Sequence, residues 1–163
     1  MLLAFYAAAD DRIPKPVTCI GLGSLLLGDA AFSKSVAHLE TLGWLRHLSI
    51  TNQHDPVPCL PPFDWYKPVG MQLELLQGKG HIIRHYAHRC STTVADHNNN
   101  FTTLWKSFQA STASGSIYDW LKPHILPEYL RRSEREKPAL EPLYLNESYR
   151  DARIVGNKFQ TRL

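Results

Sequence analysis

Along the first sixty residues the apolar positions mark four segments in turn. Leu2 to Ala9 is an unbroken run of good helix formers and reads as a helix ending in the breaker-rich Asp10–Pro16. Val17-Thr18-Cys19-Ile20 is a short β-type run that enters the glycine-rich segment Gly21 to Asp29. Phe32, Val36, Leu39 and Leu42 recur at spacings of 4, 3 and 3, the period of an amphipathic helix. From Trp44 the pattern alternates: Trp44, Arg46, Leu48 and Ile50 interleave with Leu45, His47, Ser49 and Thr51 as in a strand.

Further on the signal thins. Phe63 to Gly70 reads as a loop, Met71 to Leu76 as a partly alternating strand, and Gly78-Lys79-Gly80 as a turn. His81 to Cys90 reads as a short helix or an extended loop. Phe101, Leu104, Trp105 and Phe108 mark a helix, and Lys122 to Lys137 a charged helix end or linker. Leu143-Tyr144-Leu145 is a candidate satellite strand. Strand, helix, strand in that order predicts an α/β unit with parallel strands. A carboxylate where a strand runs out then becomes the position to watch, because open α/β sheets build their sites there. That carboxylate is Asp55, in Asn52-Gln53-His54-Asp55-Pro56.

Composition narrows the picture only a little. A chain of 163 residues with 44% hydrophobic residues suffices for one core. No apolar run is long enough to span a bilayer. Met1–Ala9 lacks the positive start of a signal peptide, and Asp10-Asp11 arrives too early for one. Cys19, Cys59 and Cys90 form an odd, widely spaced set, which argues against a disulfide framework and for a reducing, cytoplasmic setting. Residues 1–121 carry nine basic and nine acidic side chains, and residues 122–163 carry nine and six. The net charge of +3 therefore belongs to the C-terminal part, without the basic density or aromatic interleaving of a nucleic-acid binder.

Two segments carry a family resemblance. Leu22-Gly23-Ser24-Leu25-Leu26-Leu27-Gly28-Asp29-Ala30-Ala31-Phe32 resembles Phe-Gly-x-Pro-Arg-Val-Gly-x-x-x-Phe, with Leu25 and Leu26 in place of Pro-Arg. Asn52-Gln53-His54-Asp55-Pro56-Val57-Pro58-Cys59-Leu60-Pro61-Pro62 is similar to Asn-x-x-Asp-x-Val-Pro-x-Leu-Pro-Pro. Together they resemble the second half of class 3 (fungal-type) lipases, a branch of the α/β-hydrolase fold. Where those enzymes commonly have His-x-Gly, this chain has Pro68-Val69-Gly70.

The resemblance implies a partial α/β-hydrolase, parallel strands with flanking helices, over residues 1–110. It would lack the N-terminal half and the nucleophile elbow, and a basic, weakly structured extension would follow over 111–163. The implied reaction is hydrolysis of a lipid or related ester through an acyl-serine, with no cofactor. Asp55 and His97 would be the acid and base of the triad, in the chain order serine, acid, histidine that α/β-hydrolases use. The serine needs Gly-x-Ser-x-Gly, which the sequence does not contain, and the resemblance places Met1 about one turn after it. Read without the resemblance, Asp55 is a turn-forming Asp-Pro and Asp96-His97-Asn98 a helix cap.

Two alternatives to an enzyme stand beside this. One is a non-catalytic interaction module, self-associating through an exposed sheet edge. The other is a metal-binding domain on His81, His85 and His88, with Cys90 nearby. On a helix, offsets of 4 and 7 would align the three imidazoles for zinc, whereas a solvated, partly stacked polar face is the simpler explanation.

Overall fold

A computed structural model describes residues 1–61, 65–85 and 117–140. Its centre is a mixed four-stranded sheet in the order β1 (Val17–Leu22), β2 (Leu45–Asn52), β3 (Met71–Leu75), β4 (His81–His85). The first three strands run parallel, and β4 is antiparallel to β3. This is an α/β architecture, with the expected parallel strands followed by one antiparallel strand.

Two helices cover one face. Helix α1 (Leu2–Ala9) lies over β1, and α2 (Ala30–Thr41) is the crossover that returns the chain to β2. Ala8, Val36, Leu39 and Leu45 form the buried cluster between them, joined by Phe5, Phe32 and Trp44. Asp29 starts α2 by accepting the Phe32 N–H at 2.9 Å, a side-chain cap on an otherwise unsatisfied donor. Gly43 ends it at a φ of +74°, the left-handed conformation that stops helices without a Cβ penalty.

β4 differs from the helix or loop expected at His81–Cys90. Gly78-Lys79-Gly80 folds the chain back and sets Leu75 opposite His81 and Met71 opposite His85. A strand rises about 3.3 Å per residue, so His81 and His85 do not stack one turn apart as metal ligands on a helix would. His88 and Cys90 lie outside the described residues, as do Phe101–Phe108 and Leu143–Leu145. Among the described residues no group of three potential metal ligands comes together.

The boundary expected near residue 110 does not mark the end of packing. Helix α3 (Ile117–Leu121), a 3₁₀ turn (Lys122–His124) and α4 (Leu126–Leu140) follow, and α4 packs on the ends of β2 and β3. Buried Arg132 donates from Nη1 to the carbonyls of Gln53 (3.1 Å) and Leu75 (3.2 Å). Arg135 reaches the Leu76 carbonyl at 2.7 Å, and Glu136 accepts the Gly80 N–H at 3.0 Å. Polar side chains, not an apolar stripe, hold this helix to the sheet. No helix among the described residues is long and apolar enough to cross a membrane.

Candidate acid–histidine site

Asp55 stands just past the carboxyl end of β2. A tight turn, closed by the Asp55 N–H on the Asn52 carbonyl at 3.0 Å, brings it there through His54 at a φ of +68°. Positive φ is uncommon outside glycine, and a non-glycine residue held in it is supported by its surroundings. The next segment, the 3₁₀ turn Val57–Cys59, presents the Val57 N–H to Asp55 Oδ1 at 2.9 Å. The loop after β1 is tied to it by the Leu26 N–H on the Leu60 carbonyl at 2.8 Å.

The Asp55 side chain is buried and collects donors from distant sequence. Tyr129, on the first turn of α4, donates its hydroxyl to Oδ2 at 2.5 Å. His124, at the end of the 3₁₀ turn before α4, sets Nδ1 at 3.0 Å from Oδ2 and 3.2 Å from Oδ1. Burial, then the Asp55 charge, push the Tyr129 phenol well above its ordinary range, so it stays a proton donor. With Nδ1–H given to Asp55, a neutral His124 carries its lone pair on Nε2, the tautomer a general base requires. The His124 side chain is 36% exposed while that of Asp55 is wholly covered. A buried carboxylate behind and a partly open imidazole in front is the arrangement that orients a base.

Asn52 fixes the segment that carries His124. Its Nδ2 donates to the Pro123 carbonyl at 2.7 Å, and its backbone N–H to the Tyr129 hydroxyl at 3.3 Å. Gly23 supplies the room. At a φ of +56°, a Cβ there would lie 2.8 Å from Tyr129 Oη and 2.9 Å from the His124 ring. The glycine motif after β1 therefore serves the close approach of the C-terminal segment.

Of the residues expected from sequence, Asp55 is in the site and His97 lies outside the described residues. His124, which the sequence reading passed over inside a basic, proline-bounded run, is the histidine that meets the carboxylate. A signal for it existed: an imidazole directly ahead of a helix whose Pro127 falls in the first turn, where proline is tolerated.

The surroundings limit what the site does alone. Cys59 is buried beside it; burial, then the charges of Asp55 and Glu74, push its thiol up to about 12, which excludes a thiolate nucleophile. A cleft lined by Met1, Ser24, Leu25, Leu27, Pro58 and Val69 has a volume of about 50 Å³, and neither Asp55 nor His124 is among its lining residues. It is much smaller than the 300 Å³ or more, on the order of an ordinary ligand pocket. No family model, curated protein or solved structure matches the chain.

Proposed function

We propose that this chain carries the acid–base part of a lipase-type serine-hydrolase site, with Asp55 as acid and His124 as base. The observation that carries the reading is a buried carboxylate at the end of a parallel strand holding the Nδ1 edge of a partly open imidazole. In the implied reaction Nε2 of His124 takes the proton of a hydroxyl as its oxygen attacks an ester carbonyl. Asp55 stabilises the imidazolium so formed, and the same proton then leaves on the departing alcohol. A Gly-x-Ser-x-Gly of this sequence does not supply the hydroxyl; for this chain alone the attacking oxygen is that of water, which gives one proton to His124 Nε2 and adds to the carbonyl, releasing acid and alcohol. The α/β-hydrolase assignment belongs to the same proposal, supported by the three parallel strands and by the Asn52–Pro62 motif. One feature favours a second reading, a non-catalytic interaction module: the sequence contains no Gly-x-Ser-x-Gly.

Hydrolysis of p-nitrophenyl esters of short and long acids by the full chain decides between them. The catalytic reading expects turnover that falls about 100-fold in His124→Ala and in Asp55→Ala, the share ordinarily due to a general base. It also expects His97→Ala to leave turnover intact. Turnover lost in His97→Ala but kept in His124→Ala would make His97 the base. Wild-type hydrolysis no faster than His124→Ala would leave the interaction module.

A further inference from the structure

β1 is the outermost strand on its side, and among the described residues only β2 pairs with it. The Val17 N–H bonds the Trp44 carbonyl and the Gly23 N–H the Ile50 carbonyl, both at 2.8 Å. With the alternation of a parallel ladder, the odd residues of β1 therefore face β2. The N–H and C=O groups of Thr18, Ile20 and Leu22 point outward. Natural edges are blunted by charges, prolines or bulges, and Val17–Leu22 contains no charge and no proline.

The side chains beside this edge are apolar and uncovered. Ile20 and Leu22 are 57% and 47% exposed and share a sheet face with their half-buried register partners Leu48 and Ile50. On the other face, α1 lies over β1 with Leu2, Leu3 and Tyr6 exposed by 46%, 83% and 68%. A helix apolar all round is ordinarily covered all round. At about 150–200 Å² for a whole large side chain, these five leave on the order of 500 Å² of apolar surface open. The open strand edge adds to that, approaching the roughly 800 Å² per partner of a specific interface.

We propose that this surface binds a second copy of the chain, β1 against β1 in antiparallel register about a two-fold axis. The edge is self-complementary. An axis between the two Ile20 residues sets Thr18 opposite Leu22 of the other copy and leaves every outward N–H and C=O paired. It brings no like charges together and makes one eight-stranded sheet with α1 of each copy flanking the seam. This inference gives the interaction-module reading its partner, and no residue of the acid–histidine site takes part in it.

Light scattering coupled to gel filtration of the full chain at micromolar concentration tests it. The wild type is expected at twice 18.6 kDa. Ile20→Lys, which sets two cations face to face at the axis, is expected at the monomer mass with an unchanged circular dichroism spectrum. Leu130→Lys, an equal change on α4, is expected to stay dimeric. A monomeric wild type would give the edge to a strand of another polypeptide and overturn the proposal. A dimer insensitive to Ile20→Lys, or one lost in Leu130→Lys, would overturn it too. Should Ile20→Lys fail to fold, Ile20→Cys in a Cys19→Ser background decides. Directly opposed, hydrogen-bonded residues have Cα atoms about 5.5 Å apart, within disulfide reach, so oxidation is expected to yield a covalent dimer. Its absence contradicts the register.

Discussion

At the scale of single residues, three positions make statements that stability measurements can check. Tyr129 is buried with its hydroxyl between Asp55 and the Asn52 N–H, so Tyr129→Phe removes one donor from a buried carboxylate. The expected loss is about 1–3 kcal/mol in urea unfolding, the usual cost of leaving a buried polar group short of a partner. Gly23→Ala combines a left-handed backbone, unfavourable by about 1–2 kcal/mol for a residue with a Cβ, with a close approach to His124 and Tyr129. It is expected to destabilise by at least that much and to displace His124 from Asp55, visible as a shifted His124 ring resonance.

His47 is the third. Buried beneath Val69 and Gly70, its imidazole is pushed down to about 4, chiefly by burial. Because the folded chain binds this proton less readily than the unfolded chain, His47 contributes stability fully present above about pH 6.5. That stability is lost as pH falls toward 4, and the depression corresponds to roughly 3 kcal/mol. Urea midpoints at pH 7.5 and pH 4.5 should differ in that direction, and His47→Leu should flatten the difference. An unchanged slope in His47→Leu would mean that another group sets the acid limit.

At the scale of elements, what could be read in the sequence follows what each element buries. α2 and β2 bury apolar side chains at helix and strand period, and hydrophobic patterning located both. α1 and β1 were legible instead as a breaker-free run of helix formers and a short β-type run. β4 was hidden because His81, Arg84 and His85 interrupt its alternation, and only the Gly78–Gly80 turn pointed to a hairpin. α4 reads in sequence as no more than a charged helix end or linker because its inward residues are Tyr129, Arg132 and Glu136, spaced 3 and 4 apart but joined to strand ends by hydrogen bonds. A polar buried face leaves no hydrophobic period to find. The candidate site was legible to the same extent: Asp55 from its place at a strand end, and His124 not, because α4 carries it.

Arg132→Met tests that account of α4. It leaves the Gln53 and Leu75 carbonyls without this donor and releases Glu128, whose carboxyl is held down to about 2, first by its hydrogen bond to Arg131 and partly by Arg132. A loss of about 2–4 kcal/mol is expected, in the range for breaking a buried charged network. Early trypsin cleavage after Arg131 and Arg135 should accompany it. Wild-type stability would mean that α4 is a passenger on the sheet.

At the scale of the whole molecule, the sheet gives one edge and one end different tasks. Its carboxyl end gathers the turn after β2, the glycine loop after β1 and the segment from α3 to α4 around a single carboxylate. Its β1 edge is left apolar and unpaired among the described residues. The hydrolase reading stands on the first feature and the dimer on the second, so either can fail without the other. For the site, the reading reduces to one contact, that of His124 with Asp55. Nitrogen-15 NMR of the His124 imidazole at pH 8.5, in wild type and in Asp55→Ala, tests that contact most directly. The account predicts the Nδ1–H form in the wild type and its loss in Asp55→Ala. A ring protonated on Nε2 in the wild type, or one indifferent to the substitution, would contradict it.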